Sequence, residues 1–311
     1  MGHVITSQRR RPILRRATHA LGALSLLIAG SAMAVSTPSA PTPGAGAARP
    51  RAPIKLKKPA EPQRLPPDLT VPTYTPGPFP FREGQRLTYR ASWLGIPAAQ
   101  ARVTLRANRK DPAMLTAEAW VETNRFADLF FRMRDYMKED MRRETLQTHN
   151  VYFRQQENNR LNEYFVKFDR AADLVTAVKK NKKGATEKRF VCNNGYGPLT
   201  GAIMALTQPG VPGSVFMFDV FTGNHRYVFD FKVAKKERIS VPAGTFDAYR
   251  IVPGIVYLSD DDLRRKSRYT LVWVSADDRR LPLRIEAGTF IGSVKVDLVR
   301  VDSPPTLAGR D

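Results

Sequence analysis

The chain has 311 residues, with 50 Lys and Arg against 29 Asp and Glu, a formal net charge of +21 and a single cysteine. One cysteine, Cys192, excludes an intramolecular disulfide, so core packing must carry the stability. It reads as a small buried hydrophobe. Of four histidines, only His149 and His225 lie beyond the first 34 residues, and neither has a second His or Cys at ligand spacing. That leaves no zinc site.

Residues 1–34 have the three parts of a secretory signal. The basic start carries Arg9, Arg10, Arg11, Arg15 and Arg16. An apolar stretch follows from Ala20 to Ala29, and then Ala32-Met33-Ala34 as a small-x-small cleavage site. Cleavage after Ala34 would place the protein in the periplasm. The same stretch also reads as an uncleaved inner-membrane anchor, although it is shorter than the ~20 residues a span needs. Arg10-Arg11-Pro12 leaves both the general and the twin-arginine export routes open.

From 35 to 78 proline recurs among Ala, Ser, Thr and Gly, as at Pro38, Pro41, Pro43, Pro66, Pro67, Pro72 and Pro78. Such composition cannot bury enough apolar surface to offset ordering, and predicts an extended, disordered linker. Residues 79–303 are long enough for one well-cored domain, and 304–311 are expected to be a disordered tail. Once the charges of the signal and the linker are removed, the domain keeps an excess of 12 positive charges. That excess favours anionic partners such as acidic lipid, lipopolysaccharide or acidic glycan. Export argues against nucleic acid, and no nucleic-acid-binding motif is present.

Period-2 alternation dominates the domain. Leu87, Tyr89, Ala91 and Trp93 alternate with polar residues. After a turn at Gly95-Ile96-Pro97, so do Ala99, Ala101, Val103 and Leu105. Leu115, Ala117, Ala119 and Val121 form a third strand, and further strands are predicted over 151–156, 163–169, 174–179, 187–192, 214–221, 226–233, 237–241, 246–252, 268–274, 281–286 and 294–301. Two helices interrupt them. Phe126, Leu129, Phe130 and Met133 fall at helical spacing behind Asn124, and Pro198 opens a second segment with Leu199, Ile203 and Leu206 inward. The order excludes regular βαβ units. It predicts an all-β fold with two short helices: a single, strongly curved antiparallel sheet, a half-barrel or open barrel. The small residues Ala91, Ala99, Ala101, Ala117 and Ala119 leave room inside the curve. Either the 126–133 helix or a ligand acyl chain could take it.

Three stretches carry a family resemblance: Phe81–Tyr89, Val241–Arg250, and Val272–Glu286 followed by Gly292. They resemble exported bacterial proteins of family 3108 among the domains of unknown function, over about 79–301. The opening departs from the family pattern, with Gln85 in place of an acid. The resemblance implies an exported, β-rich protein, and a curved half-barrel similar to periplasmic lipoprotein carriers. It implies no activity.

No nucleophile elbow or phosphate-cradling glycine loop is present, and no cofactor is called for. Asp260-Asp261-Asp262 lacks the ligand alternation of a calcium loop and is followed by Arg264, Arg265 and Lys266. Glu139 and Asp140, adjacent on a strand, would point to opposite faces. The sequence therefore favours a non-catalytic envelope protein that binds an amphipathic lipid or glycolipid. The candidate apolar contacts are Tyr89, Trp93, Phe126, Phe130 and Met133, and the candidate anion contacts are Lys182, Lys183, Arg264 and Arg265. Two alternatives stay open: a scaffold that binds another envelope protein through a sheet edge or the linker, and an enzyme on envelope polysaccharide, which would need paired acids.

Overall fold

The computed structural model describes residues 61–259, 269–288 and 292–303. They form one sheet of fourteen antiparallel strands in the order β8-β7-β6-β5-β4-β3-β2-β1-β14-β13-β12-β11-β10-β9. The strands are β1 Arg86–Trp93, β2 Ile96–Ala107, β3 Met114–Thr123, β4 Arg134–Arg142, β5 Thr148–Glu157, β6 Arg160–Asp169, β7 Leu174–Asn181 and β8 Gly184–Val191. The second half has β9 Val215–Thr222, β10 His225–Val241, β11 Gly244–Leu258, β12 Thr270–Ser275, β13 Pro282–Gly288 and β14 Ser293–Asp302. The helices are α1, Arg125–Asp128, and α2, Pro198–Thr207. The expected all-β, single-sheet architecture is present, and the sheet is not closed, because β8 and β9 do not pair with each other.

Two differences from the sequence reading concern strands. The strands read from alternation do not include 134–142, although Glu139 and Asp140 are read as strand neighbours; there β4 pairs with β3 and β5. Its inward face is Asp135, Met137, Glu139 and Met141, all buried. Two acids on that face break the apolar alternation that marks a half-buried strand. The expected strands at 226–233 and 237–241 are one strand, β10, with a register shift between Val233 and Lys235. A bulge of this kind bends a strand without ending it.

The largest correction concerns the filling of the curve. The 126–133 segment is not a helix lying on the alanine-lined strands. α1 is a single turn, and Phe126, Leu129 and Phe130 face outward. The sheet is filled by α2, whose Leu199, Ile203 and Met204 join Leu115, Ala117, Ala119, Met137, Phe153, Phe190, Phe218 and Phe221 in one core cluster. The small Ala117 and Ala119 belong to this cluster. A second cluster under β1, β2, β12, β13 and β14 takes in Ala127, Phe131 and Met133.

The N-terminus of α2 explains why an acid sits on the inward face of β4. The first N–H groups of a helix have no partner within it. Here Leu199 N and Thr200 N donate to Glu139 Oε1 and Oε2 at 2.8 and 2.9 Å, and Thr200 Oγ1 donates at 2.7 Å. Gly197 stands so close to this carboxyl that any Cβ there would collide with it. Burial pushes the Glu139 carboxyl up to about 7, against the lowering effect of those three donors. Its folded-state value thus exceeds its unfolded one, so its contribution to stability is present below about pH 4.5 and is lost as pH rises through about 7. A shift of this size corresponds to roughly 3 kcal/mol. Glu139→Gln is expected to flatten the fall in melting temperature between pH 5 and pH 8. An unchanged slope would show that Glu139 does not titrate in that range.

The gap between the edge strands is spanned by chain from outside the sheet. Gln63 N donates to Arg189 O at 2.8 Å, and Val191 N to Gln63 O at 2.9 Å, which places Gln63 parallel to Phe190 on the edge of β8. Tyr196 pairs in parallel with Val220 on the edge of β9. The Tyr74 ring lies on Phe218 at 4.7 Å, and its hydroxyl accepts from Met217 N. Residues 61–78, expected as linker, are therefore in contact with the sheet wherever these bonds are made. Unpaired edge groups need partners, and even a proline-rich segment can supply them at single residues. Beneath this strap a buried ion pair joins β9 to β10. Arg226 Nε and Nη2 donate to Asp219 at 3.0 and 2.6 Å, and Nη1 reaches Val191 O at 3.0 Å. Cys192 Sγ donates to the same carboxylate at 3.0 Å, and burial pushes its thiol up to about 12. That rules out a ready nucleophile.

Candidate functional site at one end of the sheet

Antiparallel order sends alternate turns to opposite ends. One end carries the β1–β2 turn, the α1 loop, the β5–β6 turn and the β7–β8 turn. The α1 loop is fixed by polar bonds. Asn124 Oδ1 accepts from Ala127 N at 2.8 Å, and its Nδ2 donates to Pro97 O at 2.7 Å. Asp128 is held by Thr123 Oγ1 and by both terminal nitrogens of Arg134, which keep its carboxyl below the usual range. Within this frame Ala127, Phe131 and Met133 turn inward. The intervening Phe126, Leu129 and Phe130 are 56%, 77% and 43% exposed. Phe126 and Phe130 meet edge to face at 5.6 Å. Ile96, which opens β2 and is 53% exposed, precedes the Pro97 carbonyl that holds Asn124, whereas Leu94 of the β1–β2 turn, 55% exposed, lies against Gly292.

The structure divides the candidate residues. Phe126 and Phe130 are solvent-facing and adjacent. Tyr89 and Met133 are buried in the core, and Trp93 is partly buried against it. Tyr89 is buried in β1 with its hydroxyl donating to Pro282 O at 3.0 Å, and burial raises its pKa. Trp93 packs against the β1–β14 cluster, and Met133 is fully buried where β4 begins. Period-2 alternation puts such residues on the covered face, where they pack with Leu281, Leu283 and Val296. Lys182 and Lys183 form the β7–β8 tip, where Lys183 N donates to Asn181 Oδ1 at 2.8 Å. They share an end with the phenylalanines but stand about 20 Å along the sheet from them, at ~4.8 Å per strand. Arg264, Arg265 and the Asp260–Asp262 run lie outside the described residues. Among the described residues no group of three or more His, Cys, Asp or Glu could hold a metal.

Sequence reasoning missed Leu94, Ile96 and Leu129 because exposed apolar residues are common singly and become notable only when contiguous. It also missed two inward lysines, Lys179 and Lys188. Their strand parity is the signal that could have found them: Lys179 sits opposite the buried Tyr164, and Lys188 opposite the buried Ala177.

The model of a family described as "Protein of unknown function (DUF3108)" matches residues 88–299. No curated protein matches the chain. Among solved structures, a β-barrel-like protein of domain of unknown function DUF1849 from Brucella abortus aligns at 10% identity and TM-score 0.47, covering 71% of this chain and 98% of its own. An exported protein with a YmcC-like fold from Bacteroides fragilis aligns at 11% identity and TM-score 0.30, over 74% of this chain and 100% of its own. A lipoprotein from Parabacteroides distasonis aligns at 12% identity and TM-score 0.27, with the same coverages. A family model that spans more than half of the chain settles its membership: this protein belongs to the DUF3108 family of proteins of unknown function.

Proposed function

We propose that the protein is a periplasmic, non-catalytic binder of an amphipathic anionic lipid or glycolipid, and that the lipid is met at the end of the sheet that carries the α1 loop. The observation that carries this reading is the exposed Phe126, Leu129 and Phe130, the two rings in contact, held in water by a loop that its own hydrogen bonds fix. A rigid loop that exposes contiguous apolar area forgoes about 25 cal/mol per Å² that burial would recover. Insertion among acyl chains recovers it. The exposed Arg125 and Arg132 on the same segment suit anionic headgroups. The rival reading, a protein partner added to a sheet edge, is less favoured because Gln63 and Tyr196 already occupy positions on the two edges.

Co-sedimentation with phosphatidylglycerol vesicles, against phosphatidylcholine vesicles, tests this. The parent is expected to bind the anionic vesicles. Phe126→Ser with Phe130→Ser should weaken binding by about tenfold or more, since each ring removed takes apolar area out of the contact. Its melting temperature should stay close to the parent's, because both rings are already in water. Equal binding by the two proteins, or no binding by the parent, overturns the proposal.

A further inference from the structure

The β7–β8 hairpin is strongly basic: Lys179, Lys180, Lys182, Lys183, Lys188 and Arg189 against the single acid Glu187. Glu187 is spent on Arg189, whose Nε donates to it at 2.8 Å. Lys180 lies over the Phe165 ring on the outer face, 4.8 Å from its centroid. Lys179 and Lys188 are different. They belong to the inward face, because Lys179 pairs with the buried Tyr164, and Lys188 with the buried Ala177, next to the Val175–Phe190 pair that enters the core. Lys179 faces Thr186 across the ladder, so the two lysines are diagonal neighbours on one face.

Both are half-buried. Lys179 has the Tyr164 ring at 5.5 Å, and among the described residues neither ammonium has a carboxylate partner. Burial and the nearby Lys188 both lower the Lys179 pKa. Two like charges, partly desolvated and side by side, each work against folding. Lysines are almost never fully buried unless paired, and partial burial of two unpaired ones carries a smaller cost of the same sign. An anion from outside the chain would relieve it. Access exists, because β8 is an edge strand, and among the described residues the bonds that meet its free side lie at the end away from the hairpin tip: Gln63 with Arg189 and Val191, and Arg226 with Val191.

We propose that Lys179 and Lys188 form an inward-facing site for a phosphate-type oxyanion, entered from the open edge of β8. Two ammonium groups supply up to six N–H donors, which match the several acceptor oxygens of one phosphate and make short, charge-assisted bonds. Tyr164 gives the site a flat apolar wall. The phosphate is that of a lipid headgroup or one free in solution. The lipid source rests on the proposed function, whereas the site itself rests on the two lysines.

The test uses the full chain, two soluble probes (inorganic pyrophosphate and glycerol phosphate) and phosphatidylglycerol vesicles. Lys179→Gln with Lys188→Gln and Lys182→Gln with Lys183→Gln each remove two positive charges from one hairpin, so diffuse attraction falls equally in both. The inward pair is expected to weaken pyrophosphate binding by about tenfold or more, from the loss of charge-assisted bonds. The tip pair should weaken it less than about threefold, the size of an exposed screened charge effect. The inward variant should also melt no lower than the parent, which shows that it folds. Equal weakening by both pairs, or no binding of either soluble probe, overturns the site. Soluble-probe binding without vesicle binding leaves the site standing and removes the lipid reading. Pyrophosphate binding should survive Phe126→Ser with Phe130→Ser, and its loss there would also overturn a site built on the lysines.

Discussion

Arg226→Met is expected to cost about 3–5 kcal/mol of folding free energy, the usual penalty for stripping one partner from a buried ion pair. Asp219 and Arg226 are both within a few per cent of complete burial, and their guanidinium–carboxylate contact uses two parallel N–H bonds. Without the cation the Asp219 carboxylate keeps the Cys192 thiol as a donor, and the Val191 carbonyl loses its bond from Nη1. The loss should lie mainly in the charge left behind. Asp219→Leu combined with Arg226→Met should therefore recover most of it, because apolar replacement of a whole buried pair is often neutral or better. Urea denaturation of the two single variants, the double variant and the parent gives the coupling energy directly. Strictly additive losses would mean that the pair does not act as a unit.

Phe218→Ala should cost about 3–5 kcal/mol, as for large-to-small changes in a packed core, whereas Phe130→Ala should cost less than about 1 kcal/mol. The contrast is decisive for what fills the sheet. Phe218 is fully buried and touches Tyr74, Tyr196 and Phe231 by ring contacts of 4.7, 6.0 and 5.7 Å, so its loss opens a cavity between the strap, the α2 approach and β10. Phe130 is 43% exposed and its ring meets only one other ring, that of Phe126. Calorimetric melting of the two variants measures the difference, which should approach ten degrees at about 2–4 °C per kcal/mol for a domain of this size. A comparable loss from Phe130→Ala would put the α1 loop back into the core.

The two proposals place lipid contact differently from the curve-filling picture drawn from alternation. Apolar contact lies on the outside of one end, and anion contact on the inner face near one edge. The separation has a physical basis. A strongly curved sheet must be covered on its inner face, and α2 covers the half formed by β3 to β9. The charge of Lys179 and Lys188 is then stranded beside a dry core, whereas the phenylalanines of α1 are stranded in water. Each is an unfavourable placement that the fold tolerates, and under the two proposals each would be relieved by the same chemical class of partner, one with an acyl part and an anionic part.

Local pattern determined the class and most of the strand positions of this protein. Alternation at Leu87–Trp93, Ala99–Leu105 and Leu115–Val121 is read by two-residue geometry alone, and these segments are β1, β2 and β3 in near-continuous register. Proline at 198 and the Leu199, Ile203 spacing likewise marked α2. Tertiary structure alone decided the rest. β4 was hidden because Glu139 stands on an inward face, and its reason for being there, the N-terminus of α2 some sixty residues later, is a long-range contact. The 126–133 segment has helical spacing, yet its outcome was set by Asn124, Thr123, Asp128 and Arg134, whose bonds close a single turn and swing Phe126 and Phe130 to solvent. Which helix enters the curve, and which lysines face inward without a partner, depend on how fourteen strands bend around one another. Spacing along the chain carries one face at a time, and only the packed sheet shows what stands opposite it.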